Sequence, residues 1–291
     1  MKKILSLIAV LVASGQLMFA EVPAKEKKAL LDLYASTQGA DWNTQWDLNA
    51  PVETWHGVKV QGDHIVEINL FRNNLVGAIP ASIKKIKSLT HLNLAFNQIT
   101  GELPADITEL TELKVLKLEM NRIKGNIPEN IGNMSHLQEI SLFNNFLSGH
   151  IPASIGEMKE LKVLNLSSNN LKGQIPTSLG QLSSLESLGL FANELDGFIP
   201  REIGNLVKLK ELVLANNALG GDIPEEFGQL ASLEVLQIQN NKFNSFRTLE
   251  MMDNNQFLVF DYDKKPEVQF NKFNQIDKSR MAETSFEDIE E

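Results

Sequence analysis

Catalysis needs a nucleophile, a metal or a tuned acid–base pair, and side chains able to supply one are thinly spread in this sequence. The five histidines are His56, His64, His91, His136 and His150, and none forms H-E-x-x-H or another metal-ligand spacing. There is no cysteine, so a thiol nucleophile and a thiolate metal site are both excluded. No G-x-S-x-G elbow occurs, and no glycine loop that could cradle a phosphate. Asp253, Asp261 and Asp263 lie near one another late in the chain, but they lack the loop spacing and turn glycine of a calcium motif. The chain is therefore expected not to be an enzyme and to hold no metal and no cofactor. A hydrolase reading would rest only on carboxylates that neighbouring strands bring together.

What the sequence does supply, at strict intervals, is asparagine. Asn73, Asn97, Asn121, Asn145, Asn169, Asn193, Asn217 and Asn241 are spaced at 24 residues without an insertion. Eight residues before each stands an aliphatic: Ile65, Leu89, Leu113, Leu137, Leu161, Leu185, Leu209 and Leu233. The unit reads L-x-x-L-x-L-x-x-N-x-L-x-G-x-I-P-x-x-I-G-x-L-x-x, and Leu161 to Pro176 is its cleanest copy. A fixed period in the range of about 20–29 residues with this leucine spacing marks a leucine-rich repeat solenoid. The alternation Leu116, Lys117, Leu118 predicts a strand with one face buried, and strands of successive units should pair in parallel. Asparagine carries both donors and an acceptor, so where the chain leaves the strand it can satisfy backbone groups inside the coil. Proline pairs ending at Pro80, Pro104, Pro128, Pro152, Pro176, Pro200 and Pro224 then lead into short helical turns on the convex side. Glycine follows at Gly132, Gly156, Gly180, Gly204 and Gly228, whereas Lys84 and Thr108 hold that place in the first two copies. Arg247-Thr248 replaces the Ile-Pro in the eighth, where the solenoid is expected to end.

These residues resemble the plant-specific subfamily of leucine-rich repeats, known from plant receptor-like kinases, polygalacturonase inhibitors and secreted bacterial proteins. The resemblance covers most of the chain. It implies a right-handed α/β superhelix with a parallel concave sheet, a role in binding other molecules, and no catalytic residues. Trp55-His56-Gly57-Val58-Lys59-Val60 is similar to the W-x-G-V-x-C element that closes the N-terminal cap of that subfamily. The cysteines that bracket its tryptophan are replaced here by Glu53 and Val60, so tryptophan packing is expected in place of the disulfide.

Around the repeats, Met1–Ala20 reads as a signal peptide: Lys2 and Lys3, an apolar run from Ile4 to Val12, and Ala20 before the cleavage point. Residues 21–64 read as an N-terminal cap, with a helix from Lys25 to Ser36 presenting Leu30, Leu31 and Tyr34, followed by Trp42, Trp46 and Trp55. The alternative for these tryptophans is a sugar-stacking platform. Eight repeats are expected to fill 65–244 and a C-terminal cap with a last strand or plug at Phe257–Phe260 to fill 245–270, while 271–291 reads as an acidic tail expected to be mobile.

The expected protein is exported to the periplasm, the cell surface or beyond. Its 27 basic against 37 acidic residues, a net charge of −10, argue against nucleic acid and acidic membranes as partners. A protein or a neutral glycan bound by a monomer fits better. The binding surface is expected on the concave face, at positions two, four, six and seven after each opening aliphatic. Phe71, Phe96, Met120 and Phe143 cluster there on the first four strands, across about 15 Å at the usual strand spacing; Arg72 and Phe191 complete the candidate set. Exposed apolar groups at strand ends usually meet a partner. The competing reading is a structural or adhesive envelope component without a discrete site.

Overall fold

The computed structural model describes residues 22–250 and 257–263. The Met1–Ala20 stretch read as a signal peptide, Asp253 and the tail 271–291 lie outside them. Each unit begins with a short strand, three residues long in all but the first, with leucines that point into the coil: Leu161, Leu164 and Leu166 are all buried. The strands His64–Asn69, His91–Asn93, Val115–Lys117, Glu139–Ser141, Val163–Asn165, Ser187–Gly189, Glu211–Val213 and Val235–Gln237 pair side by side in parallel. Leu92 faces Leu116, Leu116 faces Ile140, and Ile140 faces Leu164, so the register equals the repeat and every leucine stacks on its counterpart. This is the parallel concave sheet of an α/β leucine-rich repeat solenoid. It does not stop with the eighth unit. Val259–Asp261 adds a further parallel strand, Val235 opposite Val259, and Asp263 accepts hydrogen bonds from the Asn240 and Asn241 amides at 3.0 and 3.3 Å.

The asparagines form the connecting ladder. Asn145 Oδ1 accepts from the Ile123 amide at 3.0 Å, while its Nδ2 donates to the carbonyls of Leu118, Leu142 and Phe143 at 3.0, 3.1 and 3.3 Å. One side chain thus ties its own turn to the repeat before it. Asn73 makes the equivalent bonds to the N-terminal segment, accepting from the Thr44 amide at 2.7 Å and donating to its carbonyl at 3.1 Å.

After the asparagine the chain forms a second parallel sheet that the leucine pattern did not announce. Its strands are Val76–Gly77, Gln98–Glu102, Arg122–Asn126, Phe146–Gly149, Asn170–Gln174 and Glu194–Asp196. Here Thr100 faces Arg122 and Lys124 faces Phe146, a register two residues short of the repeat. A stagger of two keeps every side chain on its own face, because the side-chain period of a strand is two. On the convex side, short 3-10 turns follow the prolines, such as Ala153–Glu157 after Pro152 and Thr177–Gln181 after Pro176. These turns stack so closely that a Cβ on Gly156 or Gly180 would fall onto the carbonyl of the next turn, at Ser178 and Glu202. In the first two units polar contacts do the joining: Lys84 pairs with Asp106 and Glu109 at 2.8 and 3.2 Å, and Thr108 Oγ1 accepts from Asn130 at 2.9 Å.

The N-terminal segment opens with a helix, α1 (Ala24–Ser36), that buries Ala29, Leu30 and Leu33 against the first unit; Leu31 is only half-buried, because Leu33 takes the inward position. Trp42, Trp46 and Trp55 are 2–4% exposed, which removes the sugar-platform reading. Each indole N–H donates to a backbone carbonyl, Trp42 to Thr37 at 2.9 Å and Trp46 to His56 at 2.8 Å, and Trp46 stacks on Trp55 with ring centres 4.8 Å apart. The buried Glu26 reaches across to the first unit, accepting from the Ile65 amide at 3.0 Å and meeting His64 Nδ1 at 2.7 Å. Its hydrogen bond to Glu26 is the main cause that holds the His64 imidazole above its usual pKa.

Candidate concave binding face

The backbone of position seven decides what the concave face can offer. Arg72, Phe96, Met120, Asn144, Ser168, Ala192, Asn216 and Asn240 all have φ between 51 and 58°, the left-handed region. That conformation turns the chain out of the strand toward the ladder asparagine. It brings Cβ close to the following carbonyl and disfavours every residue but glycine, with asparagine the best tolerated of the rest. Asparagine sits there in three repeats. Phe96 and Met120 are bulky residues in the same strained place.

Position six is less open than the alternation suggested. Phe71 is 47% exposed, but Ala95 and Ala215 are 0% exposed and Ser167 6%. The expectation that this whole row is wet is corrected: the left-handed turn at position seven folds over its smaller members. Nor do the aromatic side chains stand free. The rings of Phe71 and Phe96 meet edge to face, centres 5.2 Å apart, and Asn144 Nδ2 contacts Met120 Sδ at 2.8 Å. Phe143, half-buried, joins them through its strand, its carbonyl accepting from the Met120 amide at 2.9 Å. Phe71, Phe96, Met120 and Phe143 therefore form one run over four adjacent strands. Arg72 is exposed at its rim. Phe191 is set apart by the strand of Ser167, whose hydroxyl accepts from the Phe191 amide at 3.1 Å.

Two features of this face were not singled out in the sequence. Beside Phe71 an open cavity of about 450 Å³ is lined by His56, Gly57, Val58, Lys59, Glu67 and Asn69. It forms where the antiparallel strand Val58–Gln61 lies against His64–Asn69. The second feature is Glu119, the single charged member of row six. Burial pushes its carboxyl above the usual range, against hydrogen bonds from its own amide and Ser141 and the pull of Lys117. Its Oε2 is buried with no hydrogen-bond partner. Lys117, the nearest cation in sequence, pairs with Glu139 at 2.9 Å. Among the described residues no group of histidine and carboxylate side chains is placed to hold a metal ion. No described helix is long and apolar enough to cross a membrane.

Two sequence-family models match the chain: a leucine-rich repeat region over residues 69–195 and a Leucine Rich Repeat over 208–230. The fold is a leucine-rich repeat solenoid, and the chain carries leucine-rich repeats through both stretches. No curated protein matches. Among solved structures it is similar to the plant peptide hormone receptor RGFR1 in complex with RGF2, with 36% identity and a TM-score of 0.62 over 63% of this chain and 30% of that one. It is similar to PEPR1 in the PEPR1–AtPEP1 structure, with 30% identity and a TM-score of 0.70 over 75% of this chain and 32% of that one. It is also similar to the LRR protein LIC12759 of Leptospira interrogans, with 34% identity and a TM-score of 0.51 over 60% of this chain and 43% of that one. The chain thus spans about a third of the receptor chains it matches.

Proposed function

We propose that this is a non-catalytic binding protein that takes a polypeptide partner on the concave face of its first four repeats. One observation carries the reading: Phe96 and Met120 occupy a left-handed position where asparagine would relieve the backbone. Strain retained at bulky apolar residues is characteristic of sites that contact a ligand. The similarity to receptor structures solved with peptide hormones supports a polypeptide over a glycan. The contact set is Phe71, Phe96, Met120 and Phe143, with Arg72 at the rim and Phe191 at the far margin. In this reading Met1–Ala20 directs export, residues 21–64 and 245–270 close the two ends of the repeats 65–244, and the protein acts as a monomer.

The test joins capture to affinity. Partners are pulled down from the native cell envelope with the wild-type chain and with a Phe96→Ser, Phe143→Ser variant, beside a glycan array. Serine already occupies position seven at Ser168, so the variant should still melt cooperatively. Affinity for the captured protein should fall by about 2 kcal/mol, roughly thirtyfold. Gln237→Ala, on the last repeat, should bind as wild type. Undiminished binding by the well-folded double variant would move the site off this face. A glycan hit with no captured protein would replace the partner class.

A further inference from the structure

Glu119 is unusual for a surface that faces water. Of the three buried side-chain polar atoms without a hydrogen-bond partner among the described residues, two lie in row six, Glu119 Oε2 and Gln239 Oε1. Both are acceptors, so the row is short of donors. For a neutral amide the deficit is mild; for the half-buried carboxylate of Glu119 it is larger, because a partly desolvated charge gains from a counter-charge as well as a donor. Hydrogen bonds from its own amide and Ser141 and the pull of Lys117 offset only part of that cost, because burial outweighs them and Lys117 is itself paired with Glu139 at 2.9 Å. Backbone hydrogen bonds from the Phe96 amide to the Glu119 carbonyl and from the Met120 amide to the Phe143 carbonyl, both 2.9 Å, place Glu119 within the apolar run.

We infer that Glu119 selects the charge of the partner: its carboxylate receives a lysine or arginine side chain of the bound polypeptide, between apolar contacts to Phe96, Met120 and Phe143. This rests on the polypeptide-binding reading above. The chemistry favours a long basic side chain over a bare amide donor. Its methylene stem lies on apolar surface while its head supplies both proton and charge, and an aromatic face adds attraction for the cation. The net charge of −10 draws the same kind of partner from a distance. Burial, which raises the carboxyl's pKa in the free protein, is the penalty that such a cation would remove.

A displayed random-peptide library, selected on the full wild-type chain, provides the probe. Selected peptides should carry lysine or arginine beside an apolar residue. Replacing that residue by norleucine or citrulline, which keep the stem and remove the charge, should weaken binding about tenfold or more. On Glu119→Gln the charged and uncharged peptides should bind alike, while the variant melts at or above the wild-type temperature because a buried charge is gone. Equal binding of charged and uncharged peptides to wild type would overturn the inference, and this arm does not depend on any variant folding. The polypeptide-binding reading fails separately: either no peptide is selected, or the selected peptides bind the Phe96→Ser, Phe143→Ser variant as tightly as wild type.

Discussion

The first four repeats and the last four share one backbone and differ in what they place on it. Position seven is left-handed in all eight, yet the early repeats carry Arg72, Phe96 and Met120 before Asn144, and the late ones Ser168, Ala192, Asn216 and Asn240. In the late half asparagine, which tolerates this φ, holds two of the four places, the other two carry small side chains, and Asn240 Nδ2 donates to Asn216 Oδ1 at 2.6 Å. In the early half Phe96, at this position, meets Phe71 of row six edge to face, and Met120 adds a thioether. The ladder changes one repeat later, with Asn73, Asn97, Asn121, Asn145 and Asn169 buried while Asn193, Asn217 and Asn241 are half-buried. Identical scaffolding thus carries two different surfaces. In the proposed reading the early half gives up local comfort for contact surface, and the late half extends the coil.

Four perturbations break or sharpen that contrast. The largest acts on the early half as a whole. Deleting residues 21–64 would strip Leu30, Leu33 and the three tryptophans from a core they share with the first unit, and aggregation or loss of cooperative unfolding should follow. A soluble fragment that melts in one transition would show that this segment closes nothing. Next comes the ladder. Asn145→Ala should cost about 1–3 kcal/mol, since the Ile123 amide loses its acceptor and the carbonyls of Leu118, Leu142 and Phe143 each lose one of their donors in a buried place. Asn241→Ala, half-buried beside the last strand, should cost less; equal losses in denaturant titrations would mean that the halves do not differ in enclosure. Smaller still is the exchange at position seven. Phe96→Asn should stabilise by about 0.5–1 kcal/mol and Asn216→Phe should destabilise by a similar amount. If Phe96→Asn instead destabilises, the Phe71–Phe96 packing outweighs the strain, and the contact argument for Phe96 weakens.

The smallest effect depends on pH. His64 has its pKa raised mainly by Glu26, so the pair's contribution is complete below the ordinary histidine range and is lost as pH rises through the raised value. Wild type should therefore lose some melting temperature from mildly acid to mildly alkaline pH, and His64→Gln should not. Parallel curves for the two proteins would show that the Ile65 amide alone holds Glu26.

The period of the leucines and asparagines made the solenoid, its parallel register and its ladder legible before any coordinates, because each repeat asks the same physical question and answers it with the same residue type. Three things escaped that reading for physical reasons. The second sheet is built from backbone pairing in stretches such as Asn170–Gln174, where Gly173 leaves only a weak alternation to see. The burial of Ala95, Ser167 and Ala215 comes from the left-handed turn beside them, and a period of two assumes an unbroken strand. That turn did leave a trace in the asparagines at 144, 216 and 240, since asparagine is the residue such a φ favours. Glu119 was visible as the lone charge in its row, but its missing partner is a matter of where Lys117 points, which spacing does not carry.

The two registers also have a mechanical meaning. In the concave sheet the hydrogen bonds run along the stacking direction, because partner residues are one whole repeat apart. On the flank they fall two residues short, a slip of about 6.6 Å for strands about 4.8 Å apart, which inclines those strands by roughly 50° to the perpendicular. One wall of the coil is thus laced straight and the adjoining wall diagonally, like a frame with a cross-brace. A stack joined only by straight lacing can rack sideways with little resistance; the diagonal wall opposes that motion by stretching. Force applied to a partner seated on the inner wall would then be shared along the whole coil, and the early repeats would keep their shape under load.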